Sequence, residues 1–173
     1  KIGYLGRLSF EKNLEILIEV SKELTKKKYL HDLIIAGDDK DIRFRKYIEK
    51  LKQKSTNHPH ISFIGRVKEE DKNLFYQNIN LFVLPSNNPL EAFGIVQLES
   101  MINNVPVIAY NMPGVRTIIL NVGSGALFSN KKELFDQIIT FYLKKNKEIK
   151  IAENVKNFYS KKKFNLGMKK IFF

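Results

Sequence analysis

The chain has 173 residues, a hydrophobic fraction of 43% and a formal net charge of +12. That length suits one ordinary domain, the apolar content excludes a disordered polymer, and no apolar run approaches the roughly 20 residues of a membrane-crossing helix. The absence of cysteine excludes disulfides and thiolate metal sites and fits a reducing compartment, so the expected location is cytoplasmic.

The opening KIGYLGRLSF reads as a strand and a loop, not as a signal peptide, and a first residue of Lys1 sets the expectation that the chain is cut from something longer. The run Ile2–Gly6 is followed by a helical segment, Asn13–Lys28, with Leu14, Leu17, Ile18 and Leu24 near helical spacing. Leu33–Gly37 precedes a helix over Asp41–Lys54, and Ile61–Gly65 one over Lys68–Gln77. Leu81–Leu84 leads to a helix over Phe93–Asn103, then Val105–Tyr110 and a weak sixth run at Ala126–Phe128. Beyond residue 130 the helical patterns Lys132–Lys144 and Lys147–Ser160 run on without a clear strand between them. Near-continuous apolarity and terminal glycines mark buried parallel strands, and the alternation predicts an α/β, doubly wound parallel sheet of about six strands.

In an open sheet of this kind the ligand crevice lies beyond the carboxyl ends of the strands, so the loops there carry the candidates. In the first, Gly6 frees the backbone while Arg7 and Lys12 place two cations at the crevice mouth, suited to an anion with several oxygens. In the fourth, Pro85 and Asn87-Asn88 delay the helix to about Phe93, which leaves the amides of Gly94, Ile95 and Val96 as donors at a positive helix end, a natural phosphate seat. Glu99 lies about one and a half turns further on. Each feature also has a plain reading: surface cations, a carboxylate opposing a helix dipole, a solvated helix face. His31, His58 and His60 show no metal spacing, and the aromatic residues fall at core spacing, which argues against a base-stacking surface for nucleic acid. Residues 131–173 hold twelve Lys against four acidic residues, a lysine-rich surface that could also face an anionic membrane at its inner leaflet.

Taken in order, these segments resemble the C-terminal domain of the retaining glycosyltransferases of family 4, or group 1. The resemblance rests on Gly6-Arg7-Leu8 with Glu11-Lys12-Asn13, Ile34-Ile35-Ala36-Gly37-Asp38, Phe63-Ile64-Gly65-Arg66-Val67, Pro85-Ser86, Glu91-Ala92-Phe93-Gly94 with Glu99 eight positions on, and Pro106-Val107-Ile108-Ala109 with Pro113-Gly114. It covers residues 3 to about 128. The sequence departs at Asn13 and Ala92 (commonly Gly), at Asn80 (often Asp), at Asn103-Asn104 before Pro106, and at Thr117 where Glu is usual. Asn in place of Gly still permits a left-handed turn.

The resemblance implies the C-terminal half of a GT-B fold, with the whole chain (1–173) as one nucleotide-sugar-binding domain and the N-terminal acceptor domain missing. It implies that Lys147–Phe173 includes a helix crossing to that domain. It implies that Arg7, Lys12 and Glu91 are the catalytic residues. Arg7 and Lys12 would grip the donor diphosphate and offset the leaving-group charge without a metal or other cofactor, and Glu91 would orient the sugar. Donor binding would fall to Gly6 and Phe93, to Arg66 and Val67 beside the base, to the amides of Gly94, Ile95 and Val96 at the phosphates, and to Glu99 at the ribose. The implied reaction is retaining transfer of a hexosyl group from a UDP- or GDP-sugar to a glycan or lipid-linked acceptor. A nucleotide-sugar epimerase or phosphorylase on the same scaffold, or a non-catalytic basic module binding phosphate-rich polymer or membrane, are the competing readings.

Overall fold

A computed structural model describes residues 1–89, 94–143 and 151–159. The predicted alternation is present: β1 (Ile2–Leu5), α1 (Leu14–Lys26), β2 (Leu33–Ala36), α2 (Arg45–Ser55), β3 (Ile61–Phe63), α3 (Lys72–Gln77), β4 (Leu81–Leu84), α4 (Ile95–Ile102), β5 (Val107–Tyr110), α5 (Val115–Val122), β6 (Gly125–Phe128), α6 (Lys131–Leu143) and α7 (Ile151–Tyr159). All six strands are parallel, in the order β3-β2-β1-β4-β5-β6. This is the doubly wound arrangement, whose order reverses between β1 and β4.

Alternation along the strands builds two cores. Ile2 and Tyr4, Leu33 and Ile35, and Leu81 and Val83 face one side, where Leu17 and Ile18 of α1, Leu51 of α2 and Leu134 of α6 cover them. Leu5, Ala36, Phe82, Leu84 and Val107 face the other, under Tyr76 of α3, Met101 of α4, Ile118 of α5 and Val155 of α7. Truncating a residue such as Leu17, 1% exposed, would cost about 2–5 kcal/mol through lost burial and the cavity left behind.

The weak sixth run is a full strand, pairing with β5 from Val107↔Gly125 to Tyr110↔Phe128. Helix α5 has no counterpart among the expected segments, although Val115, Ile118, Ile119 and Val122 carry i, i+3, i+4, i+7 spacing and are all buried. It is short, and Gly114 and Gly123 bound it closely; Gly123 ends it at φ 67°. Two of the departures from the family pattern keep the backbone that glycine would supply: Asn13 stands at φ 51° and Asn104 at φ 59°. Thr117 lies exposed in the first turn of α5, its amide donating to the Gly114 carbonyl at 3.2 Å.

Of the segment Lys147–Phe173, the described part is α7. It packs on α4 and α5, and the Ala152 amide donates to Asn104 Oδ1 at 3.1 Å. The rest of that segment, with Glu91 and Phe93, lies outside the described residues.

Candidate functional site

Strands β1 and β2 pair over four positions, from Ile2↔Leu33 to Leu5↔Ala36, but β1 and β4 pair only at Ile2↔Leu81 and Gly3↔Phe82. Beyond Gly3 the ladder between β1 and β4 stops, so the sheet opens at its carboxyl edge where the strand order reverses. The loop after β1 carries Arg7 and Lys12, and the loop after β4 leads into α4.

The first loop is fixed at several points. The Gly6 amide donates to the Ala36 carbonyl at 3.0 Å, and the Tyr4 hydroxyl to the Arg7 carbonyl at 2.8 Å. A side chain at Gly37 would set its Cβ 2.2 Å from the Gly6 oxygen, so only glycine lets the two strand ends approach. A single 3-10 turn, Phe10–Lys12, then hands over to α1 through left-handed Asn13. The Arg7 guanidinium stands 3.7 Å from the Glu11 carboxylate and is itself exposed; Lys12 is half-buried. Burial works against the charge of Glu11, but the Ser9 hydroxyl, the local backbone, Arg7 and Lys12 outweigh it and hold its carboxyl below the ordinary range.

The fourth loop is tied to the first. Ser86 is fully buried, and its hydroxyl donates to the Glu11 carbonyl at 3.3 Å. Gly94 caps α4 in a left-handed conformation, φ 65° and ψ 61°, and an added Cβ would meet Leu84 Cδ2 at 2.7 Å and Gln97 Nε2 at 2.9 Å. The Gln97 amide already donates to the Gly94 carbonyl, so Ile95 and Val96 carry the amides that precede the first turn's bonding. Ile95 is exposed and Val96 half-buried, with the positive end of the α4 dipole behind them.

Glu99 does not lie on a solvated face. Its Oε1 accepts from the Lys72 ammonium and its Oε2 from the Tyr76 hydroxyl, each at 2.9 Å, and its side chain is 25% exposed. Lys72 also pairs with Glu69 at 2.9 Å; the bonds to Glu69 and Glu99 raise its pKa against the cost of burial. Burial, then the charge and hydrogen bond of Glu99, push the Tyr76 phenol up, so it stays a donor. Sequence reasoning missed Lys72 and Tyr76, and picked out Ser86 only as part of the Pro85-Ser86 segment, with no role. A buried tyrosine four residues after a lysine on one helix was the available signal, because a buried phenol needs a polar partner.

At the third loop, Gly65 stands at φ 74° and its carbonyl accepts from the Gly37 amide at 2.9 Å. Arg66 is exposed, while Val67 packs against the second core. The structure therefore places Gly6, Arg7 and Lys12 on one, and Gly94, Ile95 and Val96 at the end of the other, of the two loops that flank the switch point. Glu99 follows on α4, and Arg66 and Val67 stand at the neighbouring strand end. A separate concavity of about 990 Å³, lined by Leu24, Tyr29, Leu81, Val107 and Ile138 among others, lies at the opposite, amino edge of the strands.

A doubly wound sheet that opens at its switch point between a cation-bearing loop and a helix amino end belongs to the open α/β class, in which ligands bind at that crevice. The chain belongs to the glycosyl transferases group 1 family, whose model matches residues 1–158. Among curated relatives, alpha-monoglucosyldiacylglycerol synthase of Streptococcus pneumoniae is 27% identical over 138 residues, covering 78% of this chain and 30% of that protein. Among solved structures, HepE of Anabaena in complex with UDP and glucose superposes with a TM-score of 0.78 at 22% identity, over 99% of this chain and 48% of its own. The C-terminal domain of LpcC, a group 1 glycosyl transferase of Francisella tularensis, gives a TM-score of 0.72 at 24% identity, over 94% and 85%. The chain thus spans about a third of the first relative's length and about half of the HepE chain.

Proposed function

We propose that this chain is the donor-binding, C-terminal half of a retaining GT-B hexosyltransferase, and that it binds a UDP- or GDP-sugar for transfer to a glycan or lipid-linked acceptor held by an N-terminal domain. The observation that carries this is the convergence at the switch point, where the Ser86–Glu11 hydrogen bond ties the Arg7/Lys12 loop to the loop that opens α4. Its support from known proteins is the UDP and glucose held in the HepE complex and the near-complete overlap with the LpcC C-terminal domain.

In this reading Arg7 and Lys12 take the pyrophosphate, and the Ile95 and Val96 amides take the remaining oxygens, with Gly6 and Gly94 allowing close approach. As the glycosidic bond breaks, negative charge grows on the departing nucleoside diphosphate. In this reading the two cations and the helix end offset that charge, which is the work a divalent metal does elsewhere. In the same reading Glu91 contacts the sugar hydroxyls and Phe93 the donor, Glu99 receives the ribose hydroxyls, and Arg66 with Val67 borders the base. Glu91 acts by holding the sugar in line, an orienting role.

The experiment is a titration of the chain with UDP and with GDP, followed calorimetrically, for the wild type and for Arg7→Ala. A charge-assisted contact to phosphate is worth about 1.5–3 kcal/mol, so the variant should bind its nucleotide about 10- to 100-fold more weakly. Equal affinity in the two proteins would remove Arg7 from the site, and no binding of either nucleotide would remove the donor reading altogether.

A further inference from the structure

Glu99 is built into a clamp whose two jaws come from α3. An ionised carboxylate has about four acceptor positions, two on each oxygen. Lys72 occupies one on Oε1 and Tyr76 one on Oε2, at 2.9 Å each. The Asn103 amide nitrogen bonds the Glu99 backbone carbonyl, at 2.9 Å, and leaves the carboxylate untouched. Among the described residues one acceptor position on each oxygen therefore remains, on a group still 25% open to solvent. Two adjacent acceptors, fixed in one plane, match a pair of vicinal hydroxyls.

The jaws are themselves held. Tyr76 is fully buried, its ring edge-on to Phe75 and Phe82 at 5.3 and 5.7 Å, and its oxygen also lies 3.3 Å from the Val96 carbonyl. The phenol thus touches both the carboxylate and the first turn of α4. Lys72 sits one helical turn before Tyr76 on the same face and is steadied from behind by Glu69.

We infer that Lys72 and Tyr76 are positioning residues, which fix the Glu99 carboxylate so that it selects a nucleotide by the two hydroxyls of its ribose. The inference rests on the donor-binding reading and deepens it. Without the clamp, the partly buried Glu99 side chain would sample several rotamers, and each bound hydroxyl pair would have to order it anew.

The test is a comparison of ligands within each variant. UDP and 2′,3′-dideoxy-UDP, the two GDP counterparts and inorganic pyrophosphate are titrated into the wild type, Tyr76→Phe, Lys72→Met and Lys72→Arg. The wild type should prefer the ribonucleotide over its dideoxy form by about tenfold or more, because two hydrogen bonds to a charged acceptor are lost. Tyr76→Phe and Lys72→Met should each shrink that preference several-fold while leaving the affinities for the dideoxy nucleotide and pyrophosphate within about twofold. Lys72→Arg should retain the preference. An undiminished preference in both variants, or an equal loss for all ligands, would overturn the inference while donor binding stands. A wild type that binds UDP or GDP but ignores the ribose hydroxyls would also overturn it. A wild type that binds neither nucleotide would overturn the donor reading, and the inference with it.

Discussion

Single residues set the two ends of the crevice, and two of them, Gly37 and Gly94, are glycines that no other residue can replace quietly. Gly94 needs φ 65°, and a side chain there collides with Leu84 and Gln97. Left-handed backbone costs a residue with a Cβ about 1–2 kcal/mol, and the clash adds to it. Gly94→Ala should therefore lower the unfolding free energy by about 2 kcal/mol in denaturant titrations. Because the strain falls at the start of α4, nucleotide affinity should drop as well. The sequence displays these positions poorly on their own: a glycine after Phe93 could be any turn. It was the ordered set of short segments, from Gly6-Arg7-Leu8 to Pro113-Gly114, that made the loop candidates legible. What could not be seen was the partner of each side chain. Glu99 reads as a helix-face carboxylate until the fold lays Lys72 and Tyr76, some two dozen positions earlier, against it.

Among the elements, the strands were the most legible because parallel strands buried on both faces leave continuous apolar runs. Helix boundaries were less so. Asp41–Lys54 divides into a 3-10 turn at Ile42–Phe44, capped by Asp41 accepting from the Arg43 amide at 3.0 Å, and then α2. A similar turn at Glu69–Asp71 precedes α3. Both are local turns, only the first of them side-chain capped, that hydrophobic periodicity does not register. The edge of the sheet at β3 also carries a titratable cluster that spacing alone did not reveal. His60 faces His31 and His58 at 4.9 and 5.5 Å between ring centres, and its Nε2 lies 3.0 Å from the Thr25 hydroxyl.

Burial, then the neighbouring His31 and His58, lower the pKa of His60, and the Asp32 carboxylate opposes them only in part. The folded state therefore takes up this proton less readily than the unfolded chain, whose histidines titrate near about 6.5. The stability involved is complete above that pH and declines as the pH falls through it toward the lower folded value. The melting temperature should accordingly drop between about pH 7 and pH 5, ahead of carboxylate titration. His60→Gln should flatten that part of the profile, and an unchanged slope would show that the cluster does not govern it.

At the scale of the molecule, the net charge of +12 gives the whole domain an attractive field for a nucleoside diphosphate. Part of nucleotide association should then be long-range and screened by salt. Raising NaCl from about 0.05 M to 0.5 M, which shortens the Debye length several-fold, should slow UDP or GDP association measurably in stopped-flow mixing while changing dissociation less. A salt-independent association rate would confine the role of charge to direct contacts by Arg7 and Lys12. The same +12 made anionic partners legible from composition, yet it did not locate them: among the described residues many of the cations are spent in pairs such as Lys52–Asp39 and Arg43–Asp41.

The parting of β1 from β4 after Gly3 has a mechanical consequence. Above that point the buried hydroxyl of Ser86 reaches from one lip of the opening to the other. Removing it with Ser86→Ala would leave each lip anchored to its own strand but less tightly coupled to the other. A ligand that must touch both would then bear the entropy of bringing them into alignment, seen as a less favourable binding entropy with little change in contact enthalpy.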